Sequence, residues 1–292
     1  MSPHDESLFP SLARPRPDPE LDPCFVFDFQ ALEDPDSGAR LSTWLHVEPL
    51  CRGPEPRPPW VVTSQAAVDT ELGILKTGKE ADVFLLERAV PGDPDQSVVL
   101  AAKRYRGEEH RSFHRSASYT EGRRTRRSRD ARALAKKTAH GRAVASGQWA
   151  WAEWEALTRF WRAGVPVPYP VQVDGTEILM ELVCVDGEPA PRLAQTRPDR
   201  GLLRSYFDQL RTAMTDLARM GVAHGDLSAY NLLAAGDRLV IIDLPQLVDL
   251  AANPAGADFL MRDCHNVCTW FGARGLEVDE HQLFGELLAA AW

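Results

Sequence analysis

The stretch VAHGDLSAYNLL, residues 222–233, limits what this chain can be more than any other. His224, Asp226 and Asn231 interrupt two apolar runs, so a short polar connection is held between buried elements. Asp243 follows twelve residues after Asn231, at the end of the apolar run in DRLVIIDLPQ, which reads as a buried strand. Two carboxylates and an amide in that order need a scaffold that brings them together, and the flanking sequence reads as one.

Upstream, ELGILKTGKEADVFLLER reads as a β-hairpin turning at Thr77 and Gly78, and SVVLAAKRYR as a third strand that ends near Lys103. In QWAWAEWEALTRFWRAG, Ala150, Glu153, Trp154, Leu157, Phe160 and Trp161 recur every three or four residues and share one helix face, which Gly164 ends. Glu153 thus lies inside an apolar stripe. An ionised carboxylate is costly to bury alone, so a cationic partner is expected for it. Glu155 faces round towards Arg159 and Arg162 as a solvated residue. VPVPYPVQVDGTEILMELVCV gives two short strands about Asp174-Gly175. GLLRSYFDQLRTAMTDLARMG is an amphipathic helix with Leu203, Phe207, Leu210, Met214 and Leu217 on one stripe. The proline-rich first 59 residues read as an irregular extension, in which only CFVFDFQ and LSTWLHVEPL have the composition to pack.

Charge is unevenly placed. The net charge is -9, yet residues 103–142 hold 14 Lys or Arg against 4 Asp or Glu, a local balance of +10. The stretch 105–147 reads as a mobile basic loop suited electrostatically to phosphate backbones. Its few aromatics, Tyr105, Phe113 and Tyr119, argue against base-specific reading. The five cysteines lack C-x-x-C spacing, so Cys264 and Cys268 read as buried helix residues rather than metal ligands. No apolar run is long enough to span a bilayer and MSPHDESLFPSL lacks the pattern of a signal peptide, so a cytoplasmic location is expected.

Taken singly, TGKEA is an ordinary hairpin turn, Lys103 a solvated strand end, His224 a support for its loop and Asp243 a turn cap. Taken in order, Lys103, Glu153, Asp226, Asn231 and Asp243 are the parts that phosphoryl transfer requires. A lysine meets the α/β-phosphates and a glutamate holds it. An aspartate orients or deprotonates the attacking hydroxyl, and an asparagine and a second aspartate bind magnesium through hard oxygens.

Together the stretches resemble the RIO family of atypical protein kinases and ATPases. The matching residues are TGKEADVF at 77–84, AAKRYR at 101–106, PAPRL at 189–193, HGDLSAYNLL at 224–233, IIDLPQLV at 241–248 and FLMRDCHNV at 259–267. The basic segment is similar to the flexible loop of the first RIO subfamily, while Asp243-Leu244-Pro245-Gln246 also fits the second. The resemblance implies an α+β, bilobal kinase-like fold. Its N-lobe, over 60–181, is an antiparallel sheet with one helix, and its mainly helical C-lobe spans 182–292. ATP and magnesium, or manganese in its place, are expected between the lobes.

The resemblance also implies site roles. Gly78, Lys79, Glu80, Ala81 and Val83 belong to the phosphate-covering loop and its strand, and Met180, Glu181 and Val183 to the adenine pocket and hinge. Lys103 and Glu153 form the phosphate-binding pair, Asp226 is the catalytic aspartate, and Asn231 and Asp243 are the metal ligands. In this family the metal-binding aspartate also accepts phosphate, which makes Asp243 an aspartyl-phosphate candidate in an ATPase cycle.

Ser228 stands where a serine/threonine kinase usually has lysine, and only 49 residues, with no A-P-E element, follow Asp243. The activation segment and peptide-docking helices are therefore expected to be missing. A switch that turns over ATP on a large partner, such as a ribonucleoprotein, fits as well as peptide phosphorylation does. An aminoglycoside- or choline-type small-molecule phosphotransferase shares HGDL with the later Asn and Asp, but not the GKEA loop or the basic insert. A non-catalytic nucleotide-binding scaffold is the third reading, and the complete set of catalytic groups argues against it.

Overall fold

The computed structural model describes residues 30–31, 39–106 and 139–292, with side chains over 39–106 and 146–292. They form two compact units. One holds the described residues up to Gly164 together with Pro168–Leu182, the other Val165–Val167 together with Val183–Trp292.

The first unit is an antiparallel sheet of β1 (Gln30–Ala31), β2 (Arg40–Leu41), β3 (Val68–Thr77), β4 (Ala81–Val90), β5 (Asp93–Tyr105), β6 (Pro170–Asp174) and β7 (Glu177–Glu181). The strand order is β1-β3-β4-β5-β7-β6, with β2 also on β3. The hairpin read at 71–88 is β3–β4, and Asp174-Gly175 turns β6 into β7, with Gly175 at φ 58°. Helix α1 (Ala139–Arg162) is the α-helix of this unit among the described residues.

The basic loop expected over 105–147 gives up both ends to regular structure. Tyr105 is the last residue of β5 and Ala139 the first of α1, while residues 107–138 lie outside the described residues. The alternation of VVLAAKRY carries the strand past Lys103 because Tyr105 has a buried place to fill.

Alternation also sorts the central strands into two faces. Leu86, Leu100, Ala102 and Leu179 form a core with Trp44, Tyr169 and Val171, against which Trp60, Val61 and Trp161 pack. Trp44 comes from LSTWLHVEPL, so this part of the proline-rich extension closes one face of the sheet. It is tied down by hydrogen bonds: Gly53 N donates to Val171 O (2.8 Å), Tyr169 Oη to Pro54 O (2.9 Å) and Trp154 Nε1 to Leu50 O (3.1 Å). Beside it, fully buried Arg88 meets Asp69 through Nε and Nη2 (2.7 and 2.9 Å) and Gln172 Oε1 through Nη1 (3.0 Å). Gln172 in turn donates to Thr43 Oγ1 (2.7 Å). Each buried charge therefore has its counter-charge, which makes its burial tolerable.

The second unit contains α2 (Arg200–Arg219), α3 (Gly256–Gly272) and α4 (Glu280–Ala291). Its short antiparallel pairs are β8 (Cys184–Val185) with β9 (Glu188–Pro189), β10 (Val222–Ala223) with β13 (Val248–Asp249), and β11 (Leu232–Ala235) with β12 (Arg238–Ile241). Asp199 caps α2 by accepting from Leu202 N (2.8 Å). Leu203, Leu210, Met214 and Leu217 are buried as their spacing predicts, with Tyr206 beside them, while Phe207 is half-buried against Phe271. Among the described residues no helix is long and apolar enough to cross a membrane.

Candidate active site

In the first unit, strand register selects which side chains meet. Val83 is opposite Lys103, Ala81 opposite Tyr105, Ile178 opposite Lys103 and Met180 opposite Ala101. Side chains two residues apart on a strand share a face, so Ala81, Val83, Lys103, Tyr105 and Met180 lie on one side, away from the Trp44 core. Helix α1 brings Glu153 to them: Lys103 Nζ lies 2.7 Å from Glu153 Oε1, with the Glu153 side chain only 2% exposed. The partner expected for a carboxylate in an apolar stripe is therefore Lys103.

Gly78, Lys79 and Glu80 form the turn between β3 and β4. Gly78 N donates to Ala81 O (3.0 Å), and a Cβ on Gly78 would stand 2.7 Å from that oxygen, so the turn needs glycine. Lys79 is exposed. The root of the basic segment is attached here: Arg106 N donates to Glu80 O (2.9 Å), and its guanidinium pairs with Asp82. At the end of β7, Glu181 N donates to Tyr169 O (2.9 Å) and its carboxylate accepts from Tyr169 N (3.0 Å). Val183, the first residue of the second unit after this strand, accepts from Ala190 N (2.8 Å) through its carbonyl.

In the second unit, HGDLSAYN forms a loop ending in a 3-10 turn over Ala229–Asn231. Gly225 sits at φ 85°, a conformation natural to glycine, and lets the chain reverse just before Asp226. His224 is 1% exposed; with its proton on Nε2 it donates to Ile242 O (3.1 Å) and accepts from Asp226 N on Nδ1 (3.4 Å). It is the structural support expected from the sequence. Asn231 Nδ2 donates to Asp226 O (2.8 Å), and Ile242 N donates to Asn231 O (3.0 Å). One backbone bond therefore couples Asn231 to the residue preceding Asp243. Asp243 is exposed and holds φ 66°, a left-handed conformation that costs a non-glycine residue energy and tends to occur at functional positions.

Sequence reasoning gave no role to Asp263, although it lies in FLMRDCHNV. Its two carboxylate oxygens accept from Gly225 N (2.7 Å) and Leu227 N (2.8 Å), which fixes the backbone on both sides of Asp226. Arg262 donates to Gly225 O and Asn266 Nδ2 to Leu227 O (3.1 Å), so α3 grips the loop through donors and an acceptor alike. Burial pushes the Asp263 carboxyl above its ordinary range, against the pull of His224, the two N–H bonds and Arg262. The signal was present: Phe259, Leu260, Asp263, Cys264, Val267 and Phe271 follow the same helical spacing that singled out Glu153. Arg192, from PAPRL, was also passed over. Its Nη1 donates to Tyr230 O (2.6 Å), and burial draws its pKa down while Asp243 and Tyr230 draw it up.

The donors suit magnesium. With its amide nitrogen bonded to Asp226 O, Asn231 keeps Oδ1 as a hard ligand, and Asp243 adds a carboxylate. Two protein oxygens are few for an octahedral ion, which commonly completes its shell with phosphate oxygens and water. Among the described residues no group of three or more His, Cys, Asp or Glu side chains is arranged to hold a metal.

Comparison with known proteins places the chain in a family. The RIO domain family profile matches residues 98–283. The RIO-type serine/threonine-protein kinase Rio1 of Haloferax volcanii is 35% identical over 217 residues, covering 74% of this chain and 68% of the relative. The serine/threonine-protein kinase RIO3 of Bos taurus is 32% identical over 139 residues, covering 47% of this chain but only 27% of its own length. Among solved structures, the Rio2 kinase–ADP/Mg2+–phosphoaspartate complex from Chaetomium thermophilum superposes with a TM-score of 0.51 at 22% identity, over 74% of this chain and 63% of that one. That likeness identifies the fold as kinase-like.

Proposed function

Because the chain belongs to the RIO family of serine/threonine-protein kinases, we propose that it transfers the γ-phosphoryl group of Mg-ATP. Lys103, held by Glu153, meets the α/β-phosphates; the Gly78–Ala81 turn and Val83 cover them; Met180, Glu181 and Val183 serve the adenine. Asn231 and Asp243 hold the magnesium, which when bound neutralises phosphate charge. Asp226 accepts the proton of the attacking hydroxyl as its oxygen bonds to phosphorus and ADP leaves.

The observation that carries this reading is the buried Lys103–Glu153 pair at 2.7 Å. A strand lysine and a helix glutamate removed from water are costly to maintain, and the pair satisfies a known requirement of phosphoryl transfer.

Asp243 is also the candidate for a covalent intermediate. Its carboxylate oxygen would attack the γ-phosphorus, ADP would leave, and water would later release inorganic phosphate from the acyl phosphate. The left-handed backbone of Asp243 and the cationic Arg192 beside it support this assignment. The Rio2 complex is itself described as a phosphoaspartate. A polyanionic partner, a ribonucleoprotein in particular, fits the +10 balance of residues 103–142.

The test uses γ-labelled ATP with the wild-type chain and with Asp243→Asn, following free phosphate and chain-bound label. Hydroxylamine-labile label on the wild type alone, with phosphate release, is the expected result. Label stable to hydroxylamine on serine or threonine would leave the kinase and remove the acyl phosphate. No turnover by the wild type would overturn the phosphoryl-transfer reading.

A further inference from the structure

We propose that Tyr105 is a positioning residue of the nucleotide site, the third member of a Lys103–Tyr105–Glu153 triad that presets Glu153 to hold Lys103. The proposal rests on the reading of Lys103 as the phosphate-binding lysine, and it gives a role to Tyr105, which lies in the AAKRYR stretch but has none in that reading.

Glu153 is 2% exposed and Tyr105 5% exposed, so neither can rely on water for its polar atoms. The Tyr105 hydroxyl donates to Glu153 Oε2 while Lys103 Nζ donates to Oε1 at 2.7 Å, so both carboxylate oxygens are engaged. The Lys103 ammonium also lies 5.3 Å from the centroid of the Tyr105 ring, within cation–π reach. One phenol therefore touches the acid through its oxygen and the base through its ring. Strand geometry makes this possible: residues 103 and 105 project from the same face of β5, and both face α1.

A second contact shows that the helix is latched rather than merely packed. Ser146 Oγ donates to Arg106 O at 2.8 Å, and Ser146 precedes Glu153 by seven residues, two helical turns along the same side of α1. Helix α1 is thus pinned at two levels to the end of β5, once through the Arg106 backbone and once through Lys103 and Tyr105. With the Tyr105 hydroxyl removed, one oxygen of a buried carboxylate would lose a hydrogen-bond donor. Glu153 would then be free to rotate away from Lys103, at a cost typical of a hydrogen bond to a charged group.

The experiment is a double-mutant cycle on the full chain, with Mg-ADP affinity measured by titration calorimetry for wild type, Tyr105→Phe, Glu153→Gln and the double variant. Phenylalanine keeps the ring under the ammonium and removes only the oxygen. Tyr105→Phe should weaken Mg-ADP binding about 5- to 10-fold, and should cost less than about 2-fold once Glu153 is already glutamine. A purely structural role would cost the same in both backgrounds, and that additivity would overturn the proposal. So would unchanged affinity in Tyr105→Phe. Lys103→Met is the control that separates the two readings. If it leaves Mg-ADP affinity intact, the assignment of Lys103 fails; if it weakens binding while Tyr105→Phe does not, only the role of Tyr105 fails.

Discussion

At the scale of single residues, the candidate site depends on buried polar atoms that are held by hydrogen bonds. Asp263 is the clearest case, because it is the acceptor for two buried backbone N–H groups flanking Asp226. Asp263→Ala would take the carboxylate acceptor from both N–H groups, a loss worth roughly 1–3 kcal/mol for each donor left unpaired in a buried place. The expected outcome is a lower urea midpoint together with a fall of about 10-fold or more in turnover of γ-labelled ATP, because the loop that aims Asp226 loses its anchor. Asp263→Asn keeps one acceptor and presents a donor to the other N–H, so it should fall between wild type and alanine in both measurements. An alanine variant with wild-type turnover would show that the Gly225 and Leu227 bonds do not position Asp226.

At the scale of elements, helix ends and helix faces follow local rules that can be tested by pH. Asp279 caps α4 by accepting from His281 N (2.8 Å) and Gln282 N (3.0 Å), and these bonds lower its pKa from the ordinary carboxylate value. A depressed folded pKa means that the cap stabilises the protein above the unfolded pKa and is lost as pH falls through the folded one. Asp279→Ala should therefore lower the thermal midpoint near neutral pH, and the difference from wild type should shrink as the pH falls below 3.8, the ordinary Asp value. Thermal scans at a series of pH values give the check; a difference that is constant with pH would rule out the carboxylate as the cap. The same local rules made α1 readable, since a glutamate at a core position of an amphipathic helix demands a partner. Applied to α3, they identify Asp263 equally well.

At the scale of the whole molecule, burial controls chemical reactivity. Cys264 is fully buried on α3 and Cys268 nearly so, and burial pushes their thiols up to about 12 and about 11. The thiolate is the reactive form, so both should resist alkylation while the second unit is folded. Cys184 is exposed on β8. Treatment with iodoacetamide near pH 7.5 should label Cys184 in the native protein and reach Cys264 and Cys268 only in denaturing urea, as read by mass spectrometry of peptides. Labelling of Cys264 at the rate of Cys184 would mean that α3 opens locally, without global unfolding.

The amino-acid sequence by itself determined the elements and the order of the chemical groups. Strand alternation, helix periodicity and the HGDLSAYN–IID spacing are local, and they are set by the geometry of the backbone and by which side chains can leave water. What only the tertiary structure decided is which groups meet. Glu153 needed a cation, but three-dimensional packing chose Lys103 fifty residues earlier and added Tyr105, which as a sequence letter looked like part of a basic loop. Asp263, 37 residues beyond Asp226, grips its loop through backbone N–H groups, and any residue except proline supplies such a donor. A hydrogen bond to the backbone leaves little trace in the partner's sequence, so this contact could be seen only once the chain had folded.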